Sequence, residues 1–314
     1  MATLADVAKL AHVSKMTVSR VLNHPEQVSE TVKQEVTAAI DALGYQPNVK
    51  AKALVTQQNY IMRFVVLEDV ATVEPNYAIL LLQLADLLRG AGYTLEITRE
   101  IAATDHVDGL IVTGWRQKDI PALEALTVPV MLYGRAPAAS SLSFIDIDNQ
   151  AGTTLATQTL LDEGYEHIYF VGLASDMPFA KDRKRGYEEV MQRAKRPVHI
   201  LSVANHSHAA AKAIDDIGEL RPNTGFVVAT DRMALGVIRA LQAQQKAIPT
   251  DFGIIGFDGI FIDQLSSPLL STVQQPLADI ARGLVDGLLT LRQTKERQEM
   301  FVAPKLKYRG TTRQ

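Results

Sequence analysis

Residues 14 to 23, "SKMTVSRVLN", bring two cations, a thioether and three hydroxyls into one short run. If Val18, Val21 and Leu22 form the inward stripe of a helix, Lys15, Met16, Ser19 and Arg20 point outward. Lys and Arg can donate to guanine O6 and N7, and Met can touch a thymine methyl. Ser14, Thr17 and the free amides of a helix start suit phosphate oxygens. Elsewhere the reactive residue types are sparser. "NHSH" would offer His206 and His208 to a metal, but without cysteine or paired carboxylates nearby they read as loop or helix-start residues. The run "DRKR", residues 182 to 185, reads as a solvated charged face rather than a phosphate patch. There is no G-x-G-x-x-G after the first strand, no G-x-x-x-x-G-K-[ST] and no G-x-S-x-G. No catalytic residue, metal or cofactor is expected.

The 314 residues, 47% of them hydrophobic, can build two or three domains with real cores. A formal charge of -3 confines any nucleic-acid contact to a local patch. Without cysteine, disulfide and thiolate chemistry are excluded, which suits a reducing compartment. Met1-Ala2-Thr3-Leu4 has no basic start or apolar stretch of a signal peptide. The apolar run from Ala78 to Leu88, broken by Gln83 and Asp86, is too short to span a bilayer. A cytoplasmic protein is expected.

The first run sits on the second of three short helices. Thr3 can cap the first, with Leu4, Val7, Ala8 and Ala11 inward and Asp6 near its N-terminus. His12 to Lys15 break the chain, Ser14 caps the second helix and Asn23 closes it. The third starts after Ser29, keeps its spacing through Val32, Val36, Ile40 and Leu43, and stops at Gly44, before Pro47. Such spacing alone fits any small three-helix bundle. The outward residues favour a helix-turn-helix unit.

"TLADVAKLAHVSKMTVSRVLNHPEQVSETVKQEVTAAIDALGYQPN" resembles the DNA-binding headpiece of the lactose/galactose repressor (LacI/GalR) family, through its V-S-x-x-T-V-S-R-V-L-N core and terminal Y-x-P-N. The resemblance implies that Lys15, Met16 and Arg20 read bases, while Ser14, Thr17, Ser19 and Asn23 hold the DNA backbone. One departure is His12, where relatives usually have Gly; His accepts a left-handed turn at small cost. "NVKAKALVTQQN", residues 48 to 59, is a charged linker by composition. By resemblance it is a hinge helix that orders on DNA, bringing Ala51 to the minor-groove floor and Leu54 to the wedge position.

From Ile61 the pattern becomes strand and helix in alternation. "FVVLE", "YTLEIT", "GLIVTG", "VPVMLYG", "HIYFVG", "GFVVAT" and "FGIIGFDG" read as strands, with helices such as Asn149 to Asp162 and Asp231 to Gln244 between them. The expected fold class is α/β: two lobes of parallel sheet with a ligand cleft at the strand C-terminal ends, preceded by the all-α headpiece. The expected domains are 1–47, the linker 48–59, and 60–314. The second lobe resembles the same family's effector domain, itself similar to periplasmic sugar-binding proteins. "DRKRGYEEVM" carries R-x-x-G-[YF] and points to Arg183, "VATDRMALG" to Thr230 and Asp231, and "GIIGFDG" to Asp258. The resemblance implies that Arg183 and Asp258 grip ligand hydroxyls, which both types can do bidentately. Thr113, Arg135 and His206 fall near ligand-lining positions.

The implied protein is a homodimeric transcriptional regulator of a palindromic double-stranded operator, controlled by a small effector such as a sugar. Nothing supports a coiled-coil tetramer. A sugar-binding transport protein would lack the headpiece, and a sugar-metabolising enzyme would need catalytic motifs. One stretch departs from the family: only "REIAATDHV", Arg99 to Val107, joins two strands where relatives insert a helix. A crossover between parallel strands normally takes a dozen residues. An irregular connection is expected, with the sheet face beneath it covered by another segment or by the partner subunit.

Overall fold

A computed structural model describes residues 2–23, 25–45, 58–68, 76–260 and 264–313. They fall into two compact units, Met1–Tyr60 and Ile61–Gln314. Ala51 and Leu54 lie outside the described residues, as does the side chain of Asn23.

In the first unit, α1 (Leu4–Leu10), α2 (Lys15–Asn23) and α3 (Glu30–Leu43) enclose Val7, Ala8, Ala11, Val18, Val36 and Ala39. Thr3 and Asp6 form a reciprocal capping box, and the Thr3 bonds hold the Asp6 carboxyl below its ordinary pKa. His12 makes the turn into α2 at φ 51°, in the left-handed region. Gly44 ends α3 at φ 56°, where a side chain would be strained.

The second unit holds two six-stranded sheets. The first is ordered β11-β5-β4-β3-β1-β2 and contains β1 (Ile61–Val66), β2 (Thr94–Thr98), β3 (Gly109–Thr113), β4 (Val130–Tyr133), β5 (Ser143–Ile147) and β11 (Glu299–Val302). The second is ordered β12-β10-β9-β8-β6-β7 and contains β6 (His167–Leu173), β7 (His199–Val203), β8 (Thr224–Val228), β9 (Phe252–Asp258), β10 (Ser271–Gln274) and β12 (Lys305–Lys307). All pairings are parallel except β10 with β12. All seven runs named above are strands, and β5, β7, β10, β11 and β12 are additional to them.

Helices cover the sheets because their apolar residues recur at helical spacing. In α4 (Asn76–Gly90) the buried Leu80, Leu84 and Leu88 lie one turn apart. With Ile280, Leu284 and Leu288 of α10 (Leu277–Thr294) they pack on Met62, Phe64, Ile111 and Ile145. Each buried leucine contributes roughly 1.5–3 kcal/mol. Among the described residues, the opposite face carries α5 (Ile120–Glu124), Trp115 and loops. In the second lobe, α6 (Asn149–Asp162) and α7 (Pro178–Arg193) cover one face, and α8 (Ser207–Asp215) and α9 (Asp231–Ala243) the other. A Cβ on Gly186 of α7 would collide with the backbone of Gln150 in α6, which accounts for glycine in that motif.

Strands β2 and β3 flank β1, so the connection between them must cross it. It contains no helix. Cover comes from the connection itself together with another segment, the stretch from Trp115 through Ile120 and Leu123 that packs in the same cluster. Ile101 and Val107 pack with Val65, Leu110 and Val112. Below them Arg63 of β1 is 1% exposed. It donates to the Ala103 carbonyl at 2.9 Å, lies 2.8 Å from His106 Nε2, and pairs with Glu96 at 3.3 Å. An extended strap pinned by a buried cation replaces the helix.

Candidate functional site

On α2, Lys15, Met16 and Arg20 are exposed on one side, with Met16 66% exposed. Arg20 lies back along the helix over Met16, its Nη2 3.8 Å from the sulfur. Val18 is fully buried, so the inward stripe fixes which side faces out. The hydroxyls sit at the helix start: the Thr17 amide donates to Ser14 Oγ at 3.0 Å, and the two hydroxyls lie 2.9 Å apart. Ser14 therefore caps α2 and sits beside its free amides. Thr17 and Ser19 are half-buried.

In the second unit, a cavity of about 430 Å³ opens at the C-terminal ends of the strands of both sheets. Thr113 ends β3, Tyr133 ends β4, Asp146 precedes the last residue of β5, and Asp258 ends β9. Thr230 lies two residues beyond β8, and Gln275 follows β10 directly. The fold thus brings together Thr113, Arg135, Arg183, His206, Thr230 and Asp258 from strands and helices far apart in sequence.

Asp231 is the exception. It is fully buried but lies outside the cavity lining. Its carboxylate accepts the Thr272 hydroxyl at 2.6 Å and the Gly259 amide at 2.9 Å. The expected ligand contact is therefore corrected to support: Asp231 ties the start of α9 to the turn that carries Asp258. That turn is strained, with Asp258 at φ 133° and Gly259 at φ 68°.

Arg183 is 4% exposed and held from several sides. Its Nε donates to Asn149 Oδ1 at 2.8 Å, one Nη donates to the Ala229 carbonyl, and Asp258 lies 3.9 Å away. Its guanidinium stacks 3.6 Å from the Phe257 ring centre. Gln275 donates to Asp258 at 2.7 Å and accepts from Tyr133 at 2.9 Å, tying β4 of the first lobe to β9 of the second. Burial pushes the Asp258 carboxyl up, with Arg183 acting against it. Burial likewise raises Asp146 to about 6, although it accepts the amides of Arg135 and Ile147.

Thr230 accepts the Met233 amide as the cap of α9 and donates to Asn205 Oδ1 at 2.8 Å. Thr113 donates to the Tyr77 hydroxyl, which donates to Glu68. Arg135 reaches across the cleft to Asp182 on α7, at 2.8 Å. His206 precedes α8 and lines the cavity by its position alone. Sequence reasoning missed Asp146, Asn149, Gln275 and Trp115. Of these, Asp146 and Asn149 carried a signal, a carboxylate and an amide at the junction between an apolar run and a helix. Among the described residues no group of three or more His, Cys, Asp or Glu could hold a metal ion, and no helix is long and apolar enough to cross a membrane.

A helix-turn-helix unit joined to a two-lobed cleft is the build of a ligand-responsive DNA-binding regulator. Residues 3–48 match the family model for bacterial regulatory proteins of the lacI family, and residues 157–312 match a periplasmic binding protein-like domain. The chain is 38% identical over 292 residues to the HTH-type transcriptional regulator YvdE of Bacillus subtilis (strain 168), covering 92% of each. It is 31% identical to the HTH-type transcriptional regulator CelR of Thermobifida fusca, covering 91% of this chain and 92% of that one. Among solved structures it resembles a CelR–cellobiose complex, with TM-score 0.72 and 25% identity over 99% of this chain and all of that one. A Lac repressor dimer bound to operator and an anti-inducer shares the fold, with TM-score 0.75 and 23% identity over 99% of each chain. The chain belongs to the lacI family of bacterial regulatory proteins. It is a sequence-specific DNA-binding regulator of transcription and not an enzyme.

Proposed function

We propose that this protein is a cytoplasmic homodimeric repressor that binds a palindromic operator and changes its affinity when a sugar or sugar derivative enters the cleft. Lys15, Met16 and Arg20 read base edges, while Ser14, Thr17, Ser19 and Asn23 hold the phosphates. Residues 48–59 act as the hinge, with Ala51 and Leu54 in the minor groove. Arg183, Asp258, Thr230, Thr113, Arg135 and His206 face the effector, and Asp231 supports them from below.

The observation that carries this reading is the cavity itself. Six side chains that lie up to 145 positions apart (Thr113 to Asp258) converge on one space between the lobes. They supply the mix of cation, carboxylate and hydroxyl that hydroxyl-rich ligands need. The relatives named above, with a cellobiose complex among the similar structures, support the ligand class. The test is selection of binding sites from randomised duplexes by the full chain, followed by saccharide titration of the selected complex. An inverted repeat whose affinity changes at least tenfold with one saccharide is expected. A lone half-site, or a complex indifferent to every sugar, would refute the proposal.

A further inference from the structure

We infer that the effector is an uncharged saccharide of two rings. This rests on the reading that the cleft takes a carbohydrate, and it comes from the cavity's size, the spread of its polar groups and its charge.

Size comes first. A cavity of about 430 Å³ falls in the range of small-molecule sites and has room for a second sugar ring beside the first.

The spread agrees. Polar groups form three separate clusters along the cleft. Asp146, Asn149, Arg183, Asp258 and Gln275 make the central one. Glu68, Tyr77 and Thr113 make another in the first lobe, and Thr230 with Asn205 a third in the second. Strand order places Thr113 on β3 and Asp146 on β5, two positions apart in the sheet, or about 10 Å at ~4.8 Å per strand. One ring on the central cluster leaves the first-lobe cluster out of reach; a second ring reaches it. Phe179, half-buried, lines the same cavity and offers an aromatic ring for the C–H face of a sugar.

Charge at the central cluster weighs against the anionic alternatives. The central cluster has two buried carboxylates, Asp146 and Asp258, against one buried cation, Arg183. That cation already serves Asn149 and the Ala229 carbonyl. Arg135 is engaged by Asp182, and Arg116 stands exposed at the rim. A phosphate or sugar acid entering here would face buried negative charge with no uncommitted buried cation. Neutral hydroxyls, by contrast, donate to both carboxylates.

The test is calorimetric titration of the full-length protein with a panel. It contains α- and β-linked glucose disaccharides, free glucose, galactose and ribose, glucose 6-phosphate, maltose 6-phosphate, gluconate and hypoxanthine. An uncharged disaccharide is expected to bind at least tenfold more tightly than its monosaccharide, and its phosphate at least tenfold more weakly than the parent. Asp258→Asn should narrow the gap between neutral and phosphorylated disaccharide. Equal or tighter binding of a monosaccharide, a phosphate or gluconate overturns the two-ring, uncharged assignment while leaving the carbohydrate reading intact. Binding of hypoxanthine alone, or of no member, overturns both.

Discussion

Arg183 illustrates what a buried cation needs: an amide oxygen, a backbone carbonyl, a nearby carboxylate and an aromatic face. Removing it leaves Asp258 buried beside an empty space, and charge-assisted bonds of this kind are worth about 1.5–3 kcal/mol each. Arg183→Ala is expected to abolish the effector response in a DNA-binding assay while leaving operator affinity without ligand intact. Asp146 gives a pH dependence with a definite sign. Its folded pKa of about 6 lies above the ordinary value of 3.8, so the native state holds the extra proton between those limits. Stability from this group therefore falls as pH rises from about 4 to 6, by about 3 kcal/mol in all. Chemical denaturation of the wild type and Asp146→Asn across that range should show their difference moving in favour of the variant as pH rises. A pH-independent difference would mean that Asp146 stays ionised. On α2, Arg20→Ala should cost about 1–3 kcal/mol at one base position of a selected site, while Ser14→Ala should weaken binding to all sequences equally. Motifs made Arg183, Asp258 and Thr230 legible in the sequence. Asp231 was misread because a motif places a carboxylate in a turn but does not say which side of the turn it faces.

At the scale of elements, helices were legible wherever apolar spacing spoke for itself, as in residues 149–162, and so were strands buried on both faces. Strands such as β7 and β11 were not, because each is short and partly exposed and reads like a loop. The strap over β1 was legible as too short for a helix, but not its anchor. Arg63 stands beside the run "FVVLE", where a cation looks like the strand's solvated start. Only the crossover lying on that face turns it inward. Arg63→Met keeps most of the volume but loses the bonds to Ala103 and Glu96. A loss of roughly 1.5–3 kcal/mol is expected by denaturant unfolding. Faster amide hydrogen exchange at Val107 and Asp108 should accompany it, since their bonds to Thr104 and Ile61 hold the strap's end. Unchanged exchange there would show that Ile101 and Val107 hold the strap by packing alone.

For the whole molecule, the relevant motion is that of one lobe against the other. Arg135 and Asp182 join them across the cleft mouth. Burial raises the Asp182 pKa, with Arg135 acting against the shift. Because Arg135 is partly exposed, the pair is worth only about 1 kcal/mol. Asp182→Ala should thus populate more open forms, weakening ligand binding about fivefold. Small-angle scattering of the ligand-free protein should show a larger radius of gyration, restored by saturating ligand. A variant with unchanged scattering and affinity would remove the pair from any part in closure.

The chain passes between the lobes three times, and its last strands finish both sheets. β11 lies at the edge of the first sheet, and β12 at the edge of the second. Just beyond them Thr311 donates to the Ile254 carbonyl and accepts the Ser271 amide. This has a consequence for the order in which the protein is born. The headpiece needs only its first 45 residues, whereas neither lobe is complete until residues beyond 298 have been made. At ~5–20 residues per second, the interval is on the order of 13–50 s. During translation each nascent chain therefore carries a reading head without a working receptor. Ligand control can arrive only once both edge strands have been made, for both lobes together.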